Sequence, residues 1–499
     1  MKNNNNNPLG KTNGKNTKKK LNAETIIKHV EELTKTKATP HDEILKQLVE
    51  QFEPLDFEAL ANPHNIENFK VTSKHYLVLS IENALHLAGK NNWGLCKHHN
   101  FIFLYNGTYW NELDKEDFQR FLGEIVEKMG VPKFTARYFL FREQLFKQFL
   151  AVAHLEQKPL SPNKVLINLQ NGTFEINSKG IQLRPFDRAD FLTYQLPFDY
   201  NPQATAPMFQ AYLDKVLPDK ESQRVLAEYS GYIFLKHGHD LKLEAALILY
   251  GGGANGKSVY YDVIRALLGR ENISHYTLQS LTEEKGFYRA RIANKLLNYA
   301  SEINGKLEAS FFKNMVSGEP VEACLKYGQP FTMTDYAKFI FNCNELPKEV
   351  EHTSAYFRRW LIVPFNVEIP KAEQDTGLSN RIVQNELSGV FNWVLEGLNR
   401  LLEQKKFSDC DAAKAAIEQY KLESNSVQMF LADYSYSTSA DSYQKIVDLY
   451  REYKQYCIED GNTPFKKSNF IKQLKALNIV IDKINVGNVA YLSNGRRPY

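Results

Sequence analysis

The stretch LILYGGGANGKSVYYDVIRALLG, residues 247–269, decides the fold of this chain. An apolar run breaks into three glycines, passes through Gly-Lys-Ser and resumes with apolar residues at helical spacing. The segment fits the pattern G-x-x-x-x-G-K-[ST] at Gly251, Gly256, Lys257 and Ser258, between an expected strand and an expected helix. Such a loop surrounds a polyphosphate with backbone N–H groups, and the following helix presents its positive N-terminus.

The loop residues predict a site for ATP and Mg²⁺. Lys257 would reach the β- and γ-phosphates, and the Ser258 hydroxyl would ligate the metal ion. The residues expected to hold the nucleotide are Gly251, Gly252, Gly253, Ala254, Asn255, Gly256, Lys257, Ser258 and Val259. The alternative, a chance glycine-rich turn, does not account for the strand and helix predicted on either side.

The surrounding chain, residues 244–366, alternates short apolar runs with helical patterns, which is typical of a sheet with crossover helices. Strands are predicted at 245–250, 295–300, 338–343 and 360–365. The fold class is therefore α/β, with a P-loop core.

Polar residues at the ends of these strands are candidates for ATP hydrolysis. Glu302 follows a strand and suits a general base or a metal ligand, although a surface acid is the plainer alternative. Ser301 occupies the position where P-loop ATPases often hold a metal-binding Asp. Asn344 ends the next strand and could bind the γ-phosphate or the attacking water, or it could belong to an ordinary turn.

Arg358 and Arg359 precede the fourth predicted strand. Either could be an arginine finger, which stabilises transition-state charge and is worth about 10³–10⁵ in rate. A structural arginine pair at a strand edge is the alternative. The sequence does not distinguish the two residues.

The order of these parts resembles the superfamily 3 helicases, and more closely the helicase part of phage, plasmid and poxvirus-type primase-helicases. The resemblance runs over about residues 160–499 and includes NLQNGTFEI, PFDYNP, FKNMVSGEPVEACLKYGQPF, the Asn-ended strand, and Arg-Arg before IVPF. It implies an AAA+-like ATPase that forms a ring, usually a hexamer. ATP would lie between subunits, with the arginine finger supplied by the neighbour.

The resemblance also implies a DNA-gripping hairpin in segment 313–336. Its tip would be Lys326, Tyr327 and Gly328, which offer a cation for a phosphate and an aromatic ring for a base or sugar. Lys313 would add a second backbone contact. A surface hairpin with a lysine at its turn is the alternative. No Asp-x-Asp within a strand precedes residue 160, so priming activity is not expected.

The rest of the chain suggests further regions. We expect a disordered basic tail at 1–22, an N-terminal helical and β-hairpin region at 23–200, and a helical collar at 201–243. Within these regions the spacing predicts a helix at 23–35, a hairpin at 100–110 and a helical stretch at 208–236. Further helices are predicted near 441–458 and 468–477. The ATPase core with a helical lid would span 244–424. Residues 425–499, with short helical pieces and a terminal hairpin pattern, suggest a winged-helix DNA-binding domain.

Bulk properties add little about function. The 499 residues carry a formal net charge of +4, too small to establish a nucleic-acid partner. No apolar run is long enough for a transmembrane span, and no secretory signal pattern opens the chain. Five scattered cysteines favour a reducing compartment, so we expect a protein of the bacterial host cytoplasm.

These patterns predict an ATP-dependent DNA helicase that replicates a phage, plasmid or other mobile element, with the 3′ to 5′ polarity that the resemblance implies. Its partners would be single-stranded and forked DNA and further copies of itself, and a separate primase or polymerase is a further candidate. One rival is an origin-binding initiator or loader with little unwinding, which Ser301 mildly favours. Another is a P-loop ATPase that serves as a scaffold. The host element, origin sequence and ring size do not follow from the sequence.

Overall fold

The computed structural model of the 499-residue chain describes most of its length. The described residues are 39–98, 101–154, 163–178, 180–303, 308–326, 328–347, 351, 353–459 and 464–494. The predicted basic tail and the helical pattern at 23–35 lie outside them. Within this part of the chain, every helix is too short or too polar to cross a lipid bilayer.

The N-terminal part combines helices with a small antiparallel sheet of order β1-β2-β3. Its elements are α1 (His41–Gln51), α2 (Phe57–Ala61), α3 (Ser73–Lys90), β1 (Gly94–His98), β2 (Phe101–Tyr105), β3 (Trp110–Leu113), α4 (Lys115–Lys128), α5 (Lys133–Arg137) and α6 (Phe139–Val152). The predicted hairpin at 100–110 is confirmed, since Tyr105 pairs with Trp110 across its turn. Phe118, Leu122 and Phe149 lie in the core of this part.

A second antiparallel sheet and two helices follow. They are β4 (Val165–Leu169), β5 (Gly172–Asn177), β6 (Gly180–Arg184), α7 (Pro207–Val216) and α8 (Lys220–Tyr232). The sequence predicted one helical stretch over 208–236, but Pro218 interrupts it and Asp219 caps α8 through the N–H groups of Glu221 and Ser222. Strands β4–β6 share a hydrophobic core with α7 and α8.

A parallel five-stranded sheet forms the centre of the molecule, in the order β13-β7-β12-β9-β8. Its elements, with the helices and hairpin between them, are β7 (Ala246–Tyr250), α9 (Lys257–Leu268), β8 (Ile273–Ser274), α10 (Leu278–Leu281), β9 (Leu297–Ala300), α11 (Ala309–Val316), β10 (Val321–Cys324), β11 (Pro330–Met333), β12 (Lys338–Cys343), α12 (Ser354–Phe357) and β13 (Trp360–Pro364). The mixed α/β fold and all four predicted strands are confirmed. The sequence did not predict strand β8, because a strand of two residues is too short to show a pattern of apolar residues.

Three helices follow the sheet along the chain: α13 (Leu378–Asn385), α14 (Leu387–Gln404) and α15 (Asp411–Ser424). Helices α14 and α8 approach closely at two glycines. An added Cβ at Gly397 would lie 2.2 Å from the carbonyl carbon of Ala227, and one at Gly231 would lie 2.6 Å from Cβ of Leu398. The contact therefore needs residues without side chains.

Gly397→Ala should destabilise the protein by about 1–3 kcal/mol, because the new methyl group overlaps the backbone of α8. The matched control is Gly89→Ala on the exposed side of α3, where nothing lies within 4 Å of the added Cβ. That change should leave the melting temperature unchanged or raise it, since alanine favours helix over glycine by about 1 kcal/mol. Equal melting temperatures for the two variants would contradict the close packing.

The C-terminal part has its own core, which includes Phe430, Tyr453 and Phe470. Its elements are α16 (Ser426–Asp433), β14 (Tyr436–Thr438), β15 (Gln444–Lys445), α17 (Ile446–Glu459), α18 (Lys467–Ala476), β16 (Ile481–Ile484), β17 (Gly487–Ala490) and β18 (Leu492–Asn494). Strands β15, β17 and β16 form an antiparallel sheet, and β14 pairs with β18. The helices predicted near 441–458 and 468–477 correspond to α17 and α18.

Candidate nucleotide-binding site

The loop 251–256 joins the carboxyl end of β7 to the first turn of α9, and two of its glycines have no substitute. Gly251 has a φ of +146°, and an added Cβ would lie 2.4 Å from the carbonyl oxygen of Phe365. Gly256 has a φ of +86°, and its Cβ would lie 2.7 Å from Cγ1 of Val216. The loop can therefore pass between β13 and α7 only with glycine at these positions.

The middle of the loop faces open space. An added Cβ at Gly252 or Gly253 would meet nothing within 4 Å. Ala254 adopts a φ of +55°, and its carbonyl oxygen accepts a hydrogen bond of 2.8 Å from the N–H of Ile369. The loop is thus anchored at both sides while its centre stays accessible.

Lys257 begins α9, and its ammonium group turns back into the loop. Its Nζ donates to the carbonyl oxygens of Gly251 at 2.6 Å and Gly252 at 2.7 Å, and to Oδ1 of Asn255 at 2.8 Å. The residue is 4% exposed, and burial lowers the pKa of its ammonium group. The Asn255 amide donates in turn to Phe365 O at 3.0 Å, which holds the acceptor in place.

A cavity of about 800 Å³ lies over this loop. It is lined by three groups of residues: the loop and first turn of α9, the carboxyl ends of β9 and β12, and a wall formed by α7 and the segment 369–381. Of the predicted site residues it contains Gly252, Gly253, Ala254, Asn255, Gly256, Lys257, Ser258, Val259, Glu302 and Asn344. Gly251 lies at the base of the loop and does not line the cavity.

Glu302 and Asn344 enter the cavity from neighbouring strands. Glu302 follows β9 by two residues, and Asn344 directly follows β12. Because β9 and β12 are parallel and paired, their carboxyl ends meet at one edge of the sheet. Ser301 lines the same cavity beside Glu302. The structure therefore brings the predicted acid, the predicted amide and Lys257 to one site.

Asn342 also lines the cavity, and the sequence reasoning missed it. Its Oδ1 is buried and accepts no hydrogen bond from the described residues. Burial raises the pKa of Tyr299, and a hydrogen bond from the Asn342 side chain opposes that shift. The signal was present in the sequence, since Asn342 is a polar residue inside the apolar run FIFNC.

The wall opposite the sheet comes from distant segments. The Tyr212 hydroxyl on α7 donates to Gly256 O at 2.8 Å. Lys215 forms an ion pair with Glu373 in which Nζ and Oε2 are 2.8 Å apart, joining α7 to the segment 369–381. Asp375 and Arg381 also form an ion pair, and both line this wall. No local pattern marks these residues, because only the tertiary structure places them beside the loop.

Arg358 and Arg359 do not line the cavity. They precede β13, so they lie at the amino end of the parallel sheet, opposite the loop. Arg359 is buried and donates to Ser317 Oγ at 2.8 and 3.1 Å, whereas the Arg358 side chain is 63% exposed. Both lie 3.2 Å from a carboxylate oxygen of Glu244. The sequence does not distinguish the two arginines, but in the fold Arg359 is buried and Arg358 is exposed.

The predicted hairpin is present as the antiparallel pair β10 and β11. Ala323 and Met333 of the hairpin are buried, and the Arg289 guanidinium donates a hydrogen bond of 3.0 Å to the carbonyl oxygen of Glu322. Lys326 is exposed at the tip, while Tyr327 lies outside the described residues.

Lys313, the second predicted DNA contact, lies on α11 rather than on a strand of the hairpin. Its Nζ is 2.9 Å from a carboxylate oxygen of Glu351. Its ammonium group therefore already has an acidic partner, and its role in DNA binding stays a prediction.

Two families match the chain. Residues 84–218 match a family described as "D5 N terminal like". Residues 249–359, which include the loop, match one described as "Family of unknown function (DUF5906)".

Among curated proteins, the chain is similar to one from Acanthamoeba polyphaga mimivirus that is named "Putative helicase". The two are 23% identical over 229 residues, which cover 44% of this chain and 23% of that protein. The chain thus spans less than a quarter of the relative's length.

Among solved structures, the chain is similar to apo structures of the NrS-1 C-terminal region. One has a TM-score of 0.45 at 13% identity, and covers 84% of this chain and 99% of that one. Another has a TM-score of 0.47 at 14% identity, and covers 82% of this chain and 98% of that one.

Proposed function

Since the chain belongs to the phage and viral primase-helicase family, we propose that it is an ATP-dependent DNA helicase of the superfamily 3 type, with an AAA+-like P-loop core. It would serve the replication of a phage, plasmid or other mobile element. The observation that carries this proposal is the cavity in which the 251–256 loop meets Lys257, Glu302 and Asn344. This set supplies a phosphate cradle, a cation, an acid and an amide at one edge of a parallel sheet.

ATP binding would use the loop as it stands. The triphosphate would lie over the open backbone of Gly252 and Gly253, and its oxygens would replace the carbonyl groups that now accept from Lys257. The attraction between the ammonium group and the phosphate oxygens would be strong, because Lys257 is desolvated and electrostatic attraction is stronger away from water. Glu302 would take the proton of the attacking water, and Asn344 would orient that water or the γ-phosphate.

The donor set also suits Mg²⁺. Ser258 lines the cavity at the start of α9, and Glu302 lines the same cavity after β9. The described residues contain no group of three or more His, Cys, Asp or Glu side chains that could enclose a metal ion. Mg²⁺ bound by few protein ligands plus phosphate and water fits this arrangement. The ion would neutralise phosphate charge and orient the γ-phosphate.

The nucleoside would occupy the part of the cavity between α7 and the segment 369–381. Met208, Val216 and Leu378 supply apolar surface there, and Gln374 and Thr376 supply polar groups. The Lys215–Glu373 ion pair holds the two sides of this part together. A base could therefore lie between apolar side chains while its edge meets polar ones.

Ring formation would complete the site. Neither Arg358 nor Arg359 lines the cavity of its own chain, because both lie at the opposite edge of the sheet, and the one arginine among the described lining residues is Arg381. A neighbouring copy could supply Arg358, whose guanidinium is at the surface. Hydrolysis in such an assembly, a hexamer in the family it resembles, would depend on contact between copies.

DNA would be held by the β10–β11 hairpin and by the C-terminal part. Lys326 at the hairpin tip would contact a phosphate, and the base of the hairpin is fixed to the core through Ala323 and Arg289. Ser317, at the end of α11, accepts hydrogen bonds from Arg359, so the helix that precedes the hairpin is bonded to the residue before β13. The C-terminal helices α17 and α18 with strands β15–β17 would act as a winged helix on duplex DNA.

The proposal is tested by measuring ATP hydrolysis with and without single-stranded DNA, together with strand displacement of a 3′-tailed duplex. A helicase should hydrolyse ATP faster with DNA and displace the strand. Hydrolysis without displacement would favour an origin-binding initiator or loader, which Ser301 in place of a second acid supports. Hydrolysis indifferent to DNA would instead indicate a scaffold ATPase.

Lys326→Ala should keep the basal ATPase rate but lose DNA stimulation and strand displacement, because Lys326 does not line the nucleotide cavity and would act only on the DNA phosphate. The matched control is Gln329→Ala, an exposed neutral residue on the same hairpin. It should behave as wild type. Unwinding by the Lys326 variant at the wild-type rate would contradict the assignment of the hairpin.

A further inference from the structure

An aromatic and basic surface lies on the N-terminal part, outside everything assigned so far. We call it the α5–α6 surface and define it by Lys133, Phe134, Arg137, Tyr138 and Phe139. The three rings are strongly exposed: Phe134 is 91%, Phe139 67% and Tyr138 53% exposed. Large apolar side chains this exposed in a cluster usually mark a binding site.

These rings are not the outer edge of the core. The same helix, α6, packs Phe141, Leu145 and Phe149 against α3 and α4, and each of these is at most 3% exposed. Phe139 is the first residue of α6 and Tyr138 directly precedes it, and their exposed rings have centroids 5.2 Å apart. One set of aromatic residues therefore packs in the core, and the second set, Phe134, Tyr138 and Phe139, is exposed to solvent.

The surrounding charge is positive. One carboxylate, Glu127, has Arg137 at 2.9 Å and Arg142 at 3.9 Å. Lys133 is close enough to help lower the pKa of that carboxyl group. Three cations around one acid leave a net positive charge of two beside the rings. A polyanion is therefore attracted to this surface.

We propose that the α5–α6 surface binds single-stranded DNA. Exposed rings stack on unpaired bases, and neighbouring cations hold the phosphates, which is the combination that single strands require. A duplex hides its base faces and would leave the rings unused. The positive charge also disfavours a symmetric contact with the same surface of a second copy. The site goes beyond the proposed helicase function, since binding here needs neither ATP nor the hairpin.

The test is fluorescence anisotropy of a labelled oligo-dT strand titrated with the full chain in the absence of nucleotide. Phe134→Ala combined with Phe139→Ala should weaken binding at least about tenfold, because two stacking contacts are lost. Lys133→Glu should weaken it and reduce its dependence on salt. The control is Val152→Ala, at the far end of α6 and 45% exposed, which should bind as wild type.

The same titrations in a Lys326→Ala background separate this surface from the hairpin. The aromatic variant should weaken binding at least about tenfold in this background too, because the surface binds DNA without the hairpin. Unchanged binding by the aromatic variant would overturn the proposal. A change in sedimentation instead of DNA affinity would also overturn it, since the surface would then be a contact between proteins. Absence of ATPase in the wild-type chain would contradict the helicase function and leave this binding result intact.

Discussion

Replacing Lys257 with alanine should reduce ATP hydrolysis at least about 100-fold, the effect of removing one preorganised charged donor from a transition state. The ammonium group is buried within the loop and would be the positive charge closest to the β- and γ-phosphates. The measurement is steady-state phosphate release at saturating ATP, with and without single-stranded DNA.

The fold should survive this change. Two of the three acceptors that Lys257 leaves, Gly252 O and Asn255 Oδ1, belong to residues that line the cavity, where water can replace the ammonium group. The melting temperature should therefore stay near that of wild type. Lys406→Ala, an exposed lysine paired with Asp409 far from the cavity, serves as the control and should hydrolyse ATP normally. Normal turnover by the Lys257 variant would exclude the loop as the catalytic site.

Arg358→Ala should lower ATP hydrolysis by about 10³-fold or more, as expected for an arginine finger. The residue lies at the amino end of the sheet, so its effect would be exerted on a neighbouring copy's cavity. Its melting temperature should hardly change, because a single exposed ion pair to Glu244 contributes at most about 1 kcal/mol.

Mixing the two inactive variants tests the intermolecular role directly. A Lys257→Ala copy still carries Arg358 and can supply it to the intact loop of an Arg358→Ala copy. Hydrolysis should therefore reappear in the mixture and stay absent in each variant alone. Failure of this rescue, with assembly intact, would contradict the role of Arg358 as a finger.

Arg359→Ala is the informative contrast. Its guanidinium is buried and bonds to Ser317 Oγ and to Ala355 O, so its removal leaves unsatisfied polar groups in the core. We expect a lower melting temperature for this variant, which Arg358→Ala should not show. The structure in this way separates two adjacent arginines that the sequence could only name together.

The amino-acid sequence by itself determined the loop, the strands around it and the residues at the strand ends. A strand of apolar residues, glycines with positive φ and a Lys-Ser helix start are local features, and each depends on backbone conformation within a few residues. Parallel pairing of buried strands then implied that Glu302 and Asn344 would meet the loop, as they do.

Only the tertiary structure decided which residues complete the cavity and which remain outside it. Lys215 and Arg381 line the cavity from α7 and α13, and the exposed rings of Phe134 and Phe139 are separated from the buried aromatic residues of α6. Burial and contact between distant segments depend on how helices pack on the sheet, and residue spacing does not encode that arrangement. The difference between Arg358 and Arg359 has the same cause: one side chain turns towards Ser317, and the other turns towards water.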